Sequence, residues 1–423
     1  MTARDPESER AGRARAPASR SGPTRAALGT VLGVAVGWLV LLRPSATLGT
    51  RLLACLTVTV VVSATLLLTA HLGMRRAGAW VAVLVGLVGG VGTGVLLGDA
   101  VVRGGSAAEV VAGAAGLVAG AVLVGSGAAA LLGPMRARRR WVVVPVGLVL
   151  LQLVVQPVLA GVLASARQPI PATALTPADV GLEYEDLRLV TADQVELAAW
   201  DLPSSNGAAV VLLHGAGSTR AATLPHAEVL SRCGYGVLML DARGHGDSAG
   251  LPMELGWFGS ADVRAAVDAL AARPEVDAIG LVGLSMGGEQ ALTAAAEDHR
   301  VRVVVAEGVG RRSAADAQAA GTSWHGRLER TVTALGMGIA DVLSSAHPPL
   351  PLREAVREIA PRPMLLIAGA GEDEQVRWYR EAAPGAVDVI SLPGTAHVGA
   401  LAEDEEWWRT TVCGRLDVAL AEP

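Results

Sequence analysis

Residues 279–297 read IGLVGLSMGGEQALTAAAE, and this stretch decides the fold of the second half of the chain. Its apolar start is typical of a buried strand, and its alanine-rich end is typical of a helix. Gly283-Leu284-Ser285-Met286-Gly287 lies where the two patterns meet. The glycines allow the sharp turn and close packing that would expose the hydroxyl of Ser285.

The Gly-x-Ser-x-Gly pattern occurs a second time, at residues 246–250. In a chain with 51 glycines the pattern alone is weak, so its surroundings decide between the copies. The second copy follows the charged loop Arg243-Gly244-His245 and runs into Leu251-Pro252, where no helix is expected to start. The context therefore favours Ser285 over Ser248 as a nucleophile.

The first half of the chain is much more apolar than the second. Hydrophobic residues make up 51% of the sequence, and residues 26–163 are almost free of acidic side chains. Runs of about 20 apolar residues are long enough to cross a bilayer. We predict an Arg-rich amino terminus (1–25), a transmembrane region (26–165) and a Pro-rich linker (166–181). The predicted spans lie near 26–42, 52–70, 80–98, 110–132 and 141–163.

Arginine placement predicts the orientation of these spans, because short cytoplasmic loops are enriched in positive charge. Six arginines precede the first span, two join spans two and three, and four join spans four and five. Only Arg43, Arg51 and Arg103 lie in the alternate loops. Five crossings that begin in the cytoplasm end outside it. The sequence thus predicts a bacterial-type plasma-membrane protein whose second half is extracytoplasmic and whose spans contact membrane lipids.

Charge and cysteine content limit the partners. A net charge of −5, with no basic cluster in the second half, argues against nucleic acid as a partner. No Cys-x-x-Cys or His-Glu-x-x-His spacing is present, and we expect neither a metal nor a cofactor. Cys233 and Cys413 could pair in an oxidising compartment, but their separation in sequence leaves that open.

Strand and helix patterns alternate regularly from about residue 182 to the end. Strands are predicted near 187–190, 195–200, 208–213, 236–240, 279–282, 301–305, 363–368 and 387–392, with helices near 220–232, 260–272 and 286–297. This alternation predicts a doubly wound, mostly parallel sheet.

At this point the second half resembles the α/β-hydrolase family. The matches besides the Ser285 turn are His214-Gly215-Ala216-Gly217, the segment from Asp241 to Ser248, and Gly394-Thr395-Ala396-His397. The resemblance covers residues 182–423 and implies a hydrolase domain, with the insertion near 308–360 as a short cap over the active site.

A serine nucleophile needs an imidazole to take its proton and a carboxylate to orient that imidazole. The resemblance implies the chain order serine, acid, histidine, and His397 is the expected base. Asp373 is the expected acid. Glu372, one residue earlier, and Glu307, after the strand at 301–305, are the alternatives. By resemblance, the backbone N–H groups of Met286 and Ala216 form the oxyanion hole.

These features predict a membrane-anchored serine hydrolase that cleaves an ester or related acyl bond of a small-molecule or lipid-like substrate through an acyl-enzyme. A peptidase of the serine aminopeptidase or prolyl-oligopeptidase branch is an alternative within the same chemistry. A membrane scaffold or sensor whose hydrolase-like domain only binds a ligand is the alternative from another class.

The arginine asymmetry generates a test of orientation. A reporter that is active only in the periplasm, fused after Pro423, should be active, because five crossings place the carboxyl terminus outside. A fusion after Arg139, in a predicted cytoplasmic loop, is the matched control and should be inactive. Activity of only a cytoplasmic reporter after Pro423 would overturn the count of five spans.

Overall fold

The computed structural model describes residues 75–102, 107–165 and 169–421. The Arg-rich amino terminus and the predicted spans near 26–42 and 52–70 lie outside the described residues. The chain divides into two compact units. The described residues up to 144 belong to one unit, and those from 145 onward belong to the other.

Two long helices make up most of the described part of the first unit. Helix α1 is Arg75–Val102 and α2 is Ala107–Leu132. They approach closely at glycines, since a Cβ atom added to Gly86 would lie 2.6 Å from the carbonyl oxygen of Gly120. A Cβ atom on Gly120 would in turn lie 2.8 Å from the Cα atom of Gly90. Small residues at such crossings let helix backbones meet, as in membrane helix pairs.

Helix α3, Ala137–Ser165, begins in the first unit and continues into the second. The predicted spans near 80–98, 110–132 and 141–163 fall within α1, α2 and α3. Among the described residues, one helical segment, Val110–Leu132, is long and apolar enough to cross a membrane by length and composition. The count of five spans and their orientation stay predictions.

An eight-stranded sheet forms the centre of the second unit. Its strands are β2 (Glu185–Val190), β3 (Glu196–Leu202), β4 (Ala208–Leu213), β5 (Gly236–Leu240), β7 (Ala278–Leu284), β8 (Val301–Glu307), β9 (Met364–Ala368) and β10 (Val387–Ser391). They lie in the order β10-β9-β8-β7-β4-β5-β3-β2. Strand β3 is antiparallel to both β2 and β5, and the other neighbouring pairs are parallel. In the predicted linker, the short strand β1 (Ile170–Pro171) pairs with β6 (His245–Gly246). The predicted mostly parallel sheet is confirmed.

Helices cover both faces of this sheet, as a doubly wound fold requires. The helices are α4 (Leu224–Arg232), α5 (Gly259–Ala271), α6 (Met286–Glu297), α7 (Trp324–Leu343), α8 (Leu352–Ile359), α9 (Asp373–Arg380), α10 (Ala400–Glu403) and α11 (Glu405–Ala421). One core lies between the sheet and α5, α6, α8 and α9, and the other between the sheet and α4 and α11. Every residue of β4 and β7 is buried, which explains their unbroken apolar runs.

Two helical segments differ from the sequence expectation. The helix predicted over 220–232 is a 3₁₀ turn, Arg220–Thr223, followed by α4, because Pro225 lies in the first turn of α4 and favours a helix start there. Within the insertion between β8 and β9, α7 is the long helix. Helix α8 belongs to the main core instead, through Leu352, Val356 and Ile359.

The pairing of the cysteines, which the sequence leaves open, is decided by packing. Cys233 directly follows α4 and Cys413 lies on α11, and the two form a disulfide. The bond joins the two helices that cover the same face of the sheet.

This disulfide predicts a redox-dependent stability. Adding a reductant should lower the thermal midpoint of the detergent-solubilised chain, because a cross-link over 180 residues restricts the unfolded chain and its loss typically costs about 2–5 kcal/mol. Cys233→Ala/Cys413→Ala should have the lower midpoint from the start and no response to the reductant, whereas Cys55→Ala should respond like wild type. An unchanged wild-type midpoint after complete reduction would contradict the assignment.

Candidate active site

Ser285 lies at the sharp turn between β7 and α6. Its backbone is left-handed, with φ of 52°, and its N–H donates to the carbonyl oxygen of Glu307 at 2.7 Å. A Cβ atom on Gly283 would lie 2.3 Å from the oxygen of Gly287, and one on Gly287 would lie 2.4 Å from the oxygen of Leu213. Neither position has room for a side chain, so both residues must be glycine. The turn predicted from residues 279–297 is present.

His397 lies between Ser285 and a carboxylate. The distance from its Nε2 atom to Oγ of Ser285 is 2.8 Å, and its Nδ1 atom lies 2.5 Å from Oε1 of Glu372. An ionised carboxylate only accepts, so the Nδ1–H group donates a hydrogen bond to Glu372 and Nε2 accepts one from the serine hydroxyl. The other oxygen of Glu372 accepts from the N–H of Gly369 at 2.8 Å.

The structure places Glu372, not Asp373, against His397, which corrects the expected acid. Helix α9 begins at Asp373, and the carboxylate of Asp373 lies 3.6 Å from the guanidinium of Arg377, one turn further along. Glu372 directly precedes this helix and its side chain makes no hydrogen bond to the helix start, so it extends over the loop that contains Gly369. The start of the helix therefore decides which neighbouring carboxylate meets the histidine.

The carboxylate of the third candidate acid, Glu307, is buried against α10 and α11. Its carboxylate accepts from the N–H of Ala400 at 2.9 Å and from the indole N–H of Trp408 at 3.3 Å. Burial raises the pKa of this carboxyl above its ordinary value. Glu307 therefore joins the serine turn, through its backbone, to α10 and α11, through its side chain.

Gly308 is a site residue that the sequence reasoning missed. It follows β8 with φ of 71°, and a Cβ atom there would lie 2.8 Å from Cε1 of His397. Any larger residue would push the imidazole away from its position beside Ser285. The sequence signal is a glycine directly after the candidate acid Glu307, three residues beyond the strand predicted at 301–305.

The loop after β4 lies beside the serine, as the resemblance implies. A Cβ atom added to Gly215 would lie 3.3 Å from Cβ of Ser285, so Ala216 follows a point of close approach. Met286 is the first residue of α6, where a backbone N–H has no acceptor in a preceding helical turn. The two expected donors, Met286 and Ala216, thus stand in segments that adjoin the serine.

His214 holds this loop in place. Its Nδ1 atom donates to the oxygen of Gly215 at 2.8 Å and its Nε2 atom accepts from the N–H of Ala242 at 3.1 Å. Complete burial lowers the pKa of His214 to about 3, so the ring stays neutral. The serine of the second Gly-x-Ser-x-Gly pattern is also structural, because the Ser248 hydroxyl donates to the oxygen of Asp241 and accepts from the N–H of Ala198.

The comparisons with known proteins bear on the family and the fold of this domain. Residues 204–357 match the model of the family described as serine aminopeptidase, S33. A solved structure of the esterase Pf2001 from Pyrococcus furiosus aligns with a TM-score of 0.50 and 26% identity, over 60% of this chain and 97% of the esterase. The domain has the α/β-hydrolase fold.

Two curated relatives are similar to part of the hydrolase domain. The thiohydrolase aneE of Aspergillus aculeatus is 34% identical over 128 residues, which is 29% of this chain and 40% of the relative. An uncharacterised membrane protein of Saccharomyces cerevisiae is 32% identical over 122 residues, which is 28% of this chain and 42% of the relative. The chain thus spans about two-fifths of the length of these relatives.

Two buried ionisable groups, Glu289 and Arg312, meet at the helix that follows Ser285. Glu289, in the first turn of α6, accepts from the N–H of Gly310 at 3.0 Å. Arg312 is fully buried, and its guanidinium donates to the carbonyl oxygens of Glu289 and Gly256 and to the hydroxyl of Thr293. Burial raises the pKa of Glu289 to about 7, with the positive charge of Arg312 opposing that rise. This cluster connects the serine helix to the start of the insertion.

Glu289 gives the hydrolase domain a pH-dependent stability. Because the folded-state pKa is raised above the ordinary 4.5 to about 7, stability should fall as pH rises through this range, by at most about 3 kcal/mol. In Glu289→Gln, which keeps an acceptor for Gly310, the thermal midpoint relative to wild type should rise between pH 5 and pH 8. Glu289→Ala should follow the same trend from a lower starting point. A midpoint difference that is constant with pH would contradict the raised pKa.

Proposed function

We propose that this chain is a membrane-anchored serine hydrolase that cleaves an ester or a related acyl bond, with Ser285 as nucleophile, His397 as base and Glu372 as acid. The observation that carries the proposal is the continuous hydrogen-bond chain from Oγ of Ser285 through His397 to Glu372. The left-handed turn at Ser285 supports it, because such strained backbone is characteristic of an exposed nucleophile.

In the acylation step, Nε2 of His397 takes the hydroxyl proton as Oγ of Ser285 bonds to the carbonyl carbon of the substrate. Glu372 stabilises the imidazolium that results. The N–H groups of Met286 and Ala216 would stabilise the oxyanion, each by about 3–4 kcal/mol. His397 then returns its proton to the leaving alcohol or thiol, and the bond from the carbonyl carbon to that group breaks.

In the deacylation step, water takes the place of the leaving group. His397 removes a proton from the water, whose oxygen bonds to the acyl carbon. The ester bond to Ser285 then breaks, and Oγ recovers its proton from His397. The acid is released and the enzyme returns to its starting state without a metal or cofactor taking part in any step.

A membrane location has two supports, and a third feature bears on the side of the membrane. The segment Val110–Leu132 is long and apolar enough to cross a bilayer, and a yeast relative is described as a membrane protein. The disulfide between Cys233 and Cys413 is typical of an oxidising compartment. Together with the arginine asymmetry, these features favour a cytoplasmic amino terminus and an extracytoplasmic hydrolase domain.

A peptidase is the second candidate, because the family model that matches residues 204–357 is described as a serine aminopeptidase. The same serine, histidine and acid would cleave an amide. Comparing kcat/KM for a p-nitrophenyl ester and for an aminoacyl p-nitroanilide with the same purified chain separates the two candidates.

Labelling of the membrane fraction with a fluorophosphonate tests the nucleophile. Wild type and Ser248→Ala should be labelled, whereas Ser285→Ala should not, because the hydroxyl of Ser285 is hydrogen-bonded to His397 and that of Ser248 to the backbone of Asp241. Labelling that persists in Ser285→Ala would contradict the assignment, and an unlabelled wild type would favour a scaffold or sensor.

A matched pair of neighbouring variants tests the acid. Glu372→Gln should lower kcat by about 10²–10⁴-fold, because a neutral amide no longer stabilises the imidazolium. Asp373→Asn should leave kcat within about a factor of three, since it removes only a partly exposed ion pair with Arg377. The opposite ranking would restore Asp373 as the acid.

A further inference from the structure

Helix α7 carries an exposed row of large apolar side chains. Trp324, Leu328, Leu335 and Val342 are 62%, 39%, 52% and 63% exposed. Among residues 169–421, nine large apolar side chains are exposed, and these four lie on a single 20-residue helix. We call them the apolar stripe.

The spacing of the apolar stripe places its members on one face. Steps of four and seven residues bring the four side chains within an arc of about 40° on a helix with 3.6 residues per turn. The stripe runs for about 27 Å along the helix, at 1.5 Å per residue. Contiguous exposed apolar surface of this kind marks a site of interaction with a protein, a ligand or a membrane.

A face of α7 that adjoins the apolar stripe packs against the end of α3 through Gly336 and Ile339. A Cβ atom on Gly161 would lie 2.5 Å from the oxygen of Gly336, and one on Gly336 would lie 3.3 Å from the oxygen of Pro157. Met337 and Ala340 share a buried cluster with Ala164. The crossing therefore uses residues 157–164 of α3, which are the last two turns of the predicted fifth span and the residues directly after it.

This crossing sets the level of α7 relative to the bilayer. Helix α7 lies against α3 at the end of the predicted fifth span, and the apolar stripe remains exposed outside this contact. Arg327 follows Trp324 by three residues and is exposed, so its aliphatic part can cover apolar surface while its charge reaches the headgroups. Amphipathic helices of this kind lie in the interface with their apolar face in the acyl boundary.

Helix α7 is also connected to the serine. Met337 and Ala340 pack with Met253 and Trp257, and the N–H of Glu254 donates to the oxygen of Ala164 at 2.9 Å. A Cβ atom on Gly256 would lie 2.7 Å from the side chain of Met286, the residue after the nucleophile. The segment 253–257 thus lies between α7 and the active site.

We propose that α7 docks on the surface of the bilayer that holds α3, with the apolar stripe inserted below the headgroups, and that the substrates of Ser285 are acyl esters resident in that bilayer. The docking rests on the membrane location proposed above, and the substrate class rests on the proposed hydrolase. A substrate held in the lipid surface would reach the serine beside the docked helix without first crossing water.

Trp324 is a natural probe of the docking. The full chain would be placed in nanodiscs of an anionic phospholipid mixture, with or without lipids brominated near the headgroup end of the acyl chain. The fluorescence lost in Trp324→Phe relative to wild type reports Trp324 alone. We expect bromine to quench it about twofold or more, since an interfacial helix buries its apolar face about 5–10 Å deep. Trp407→Phe, on α11, is the control, and its difference signal should be unchanged.

Two results would overturn the docking. Quenching of the Trp324 signal by aqueous acrylamide alone would show that the stripe stays in water. Resistance to both quenchers would show that protein covers it, such as residues 26–70 or a second copy of the chain.

The substrate class is tested by Leu328→Ser/Leu335→Ser/Val342→Ser. This variant should lose about tenfold or more of its rate on a long-chain acyl ester embedded in vesicles, as its apolar contact with lipid is removed. Its fluorophosphonate labelling and its rate on a soluble short-chain ester should stay at the wild-type level. Val418→Ser, which changes an exposed valine on α11, is the matched control and should keep all three. Equal losses on both esters would overturn the proposed substrate class, whereas an unlabelled wild type would overturn the hydrolase and leave the quenching result standing.

Discussion

The left-handed backbone at Ser285 is the constraint on which the rest of the site depends. A serine with φ of 52° is strained, and the conformation persists only where surrounding packing enforces it. Here the N–H of Ser285 is held by the oxygen of Glu307, and Gly283 and Gly287 pack where no side chain fits. The turn lifts the hydroxyl off the end of β7 and aims it at His397.

Buried polar side chains around this turn each form hydrogen bonds that hold one neighbouring segment in place. His214 orders the loop after β4, and the carboxylate of Glu307 holds the start of α10. Gly308 leaves just enough room for the imidazole of His397. A buried polar group that loses its hydrogen-bond partner costs the full free energy of its desolvation. These hydrogen bonds therefore hold the three reacting side chains in their relative positions.

The insertion after β8 joins the active site to α3. Arg312 binds the serine helix and the segment at Gly256, and that segment in turn contacts both Met286 and the cluster formed by Ala164, Met337 and Ala340. The proposed substrate access and the proposed docking of α7 therefore rest on one continuous set of contacts within the second unit. In the proposed docking, the exposed apolar stripe of α7 faces the lipid.

The sequence by itself determined the sheet, the serine turn and the positions of Ser285 and His397, because continuous apolar runs and glycine spacing are local properties of the chain. It did not determine the acid, since three carboxylates followed or neighboured the right strands and only the start of α9 at Asp373 decides which one extends to the histidine. The pairing of Cys233 with Cys413, the role of Gly308 and the exposed face of α7 likewise depend on contacts between segments distant in sequence. Periodicity marks which residues can be buried, whereas the tertiary structure decides what each of them meets.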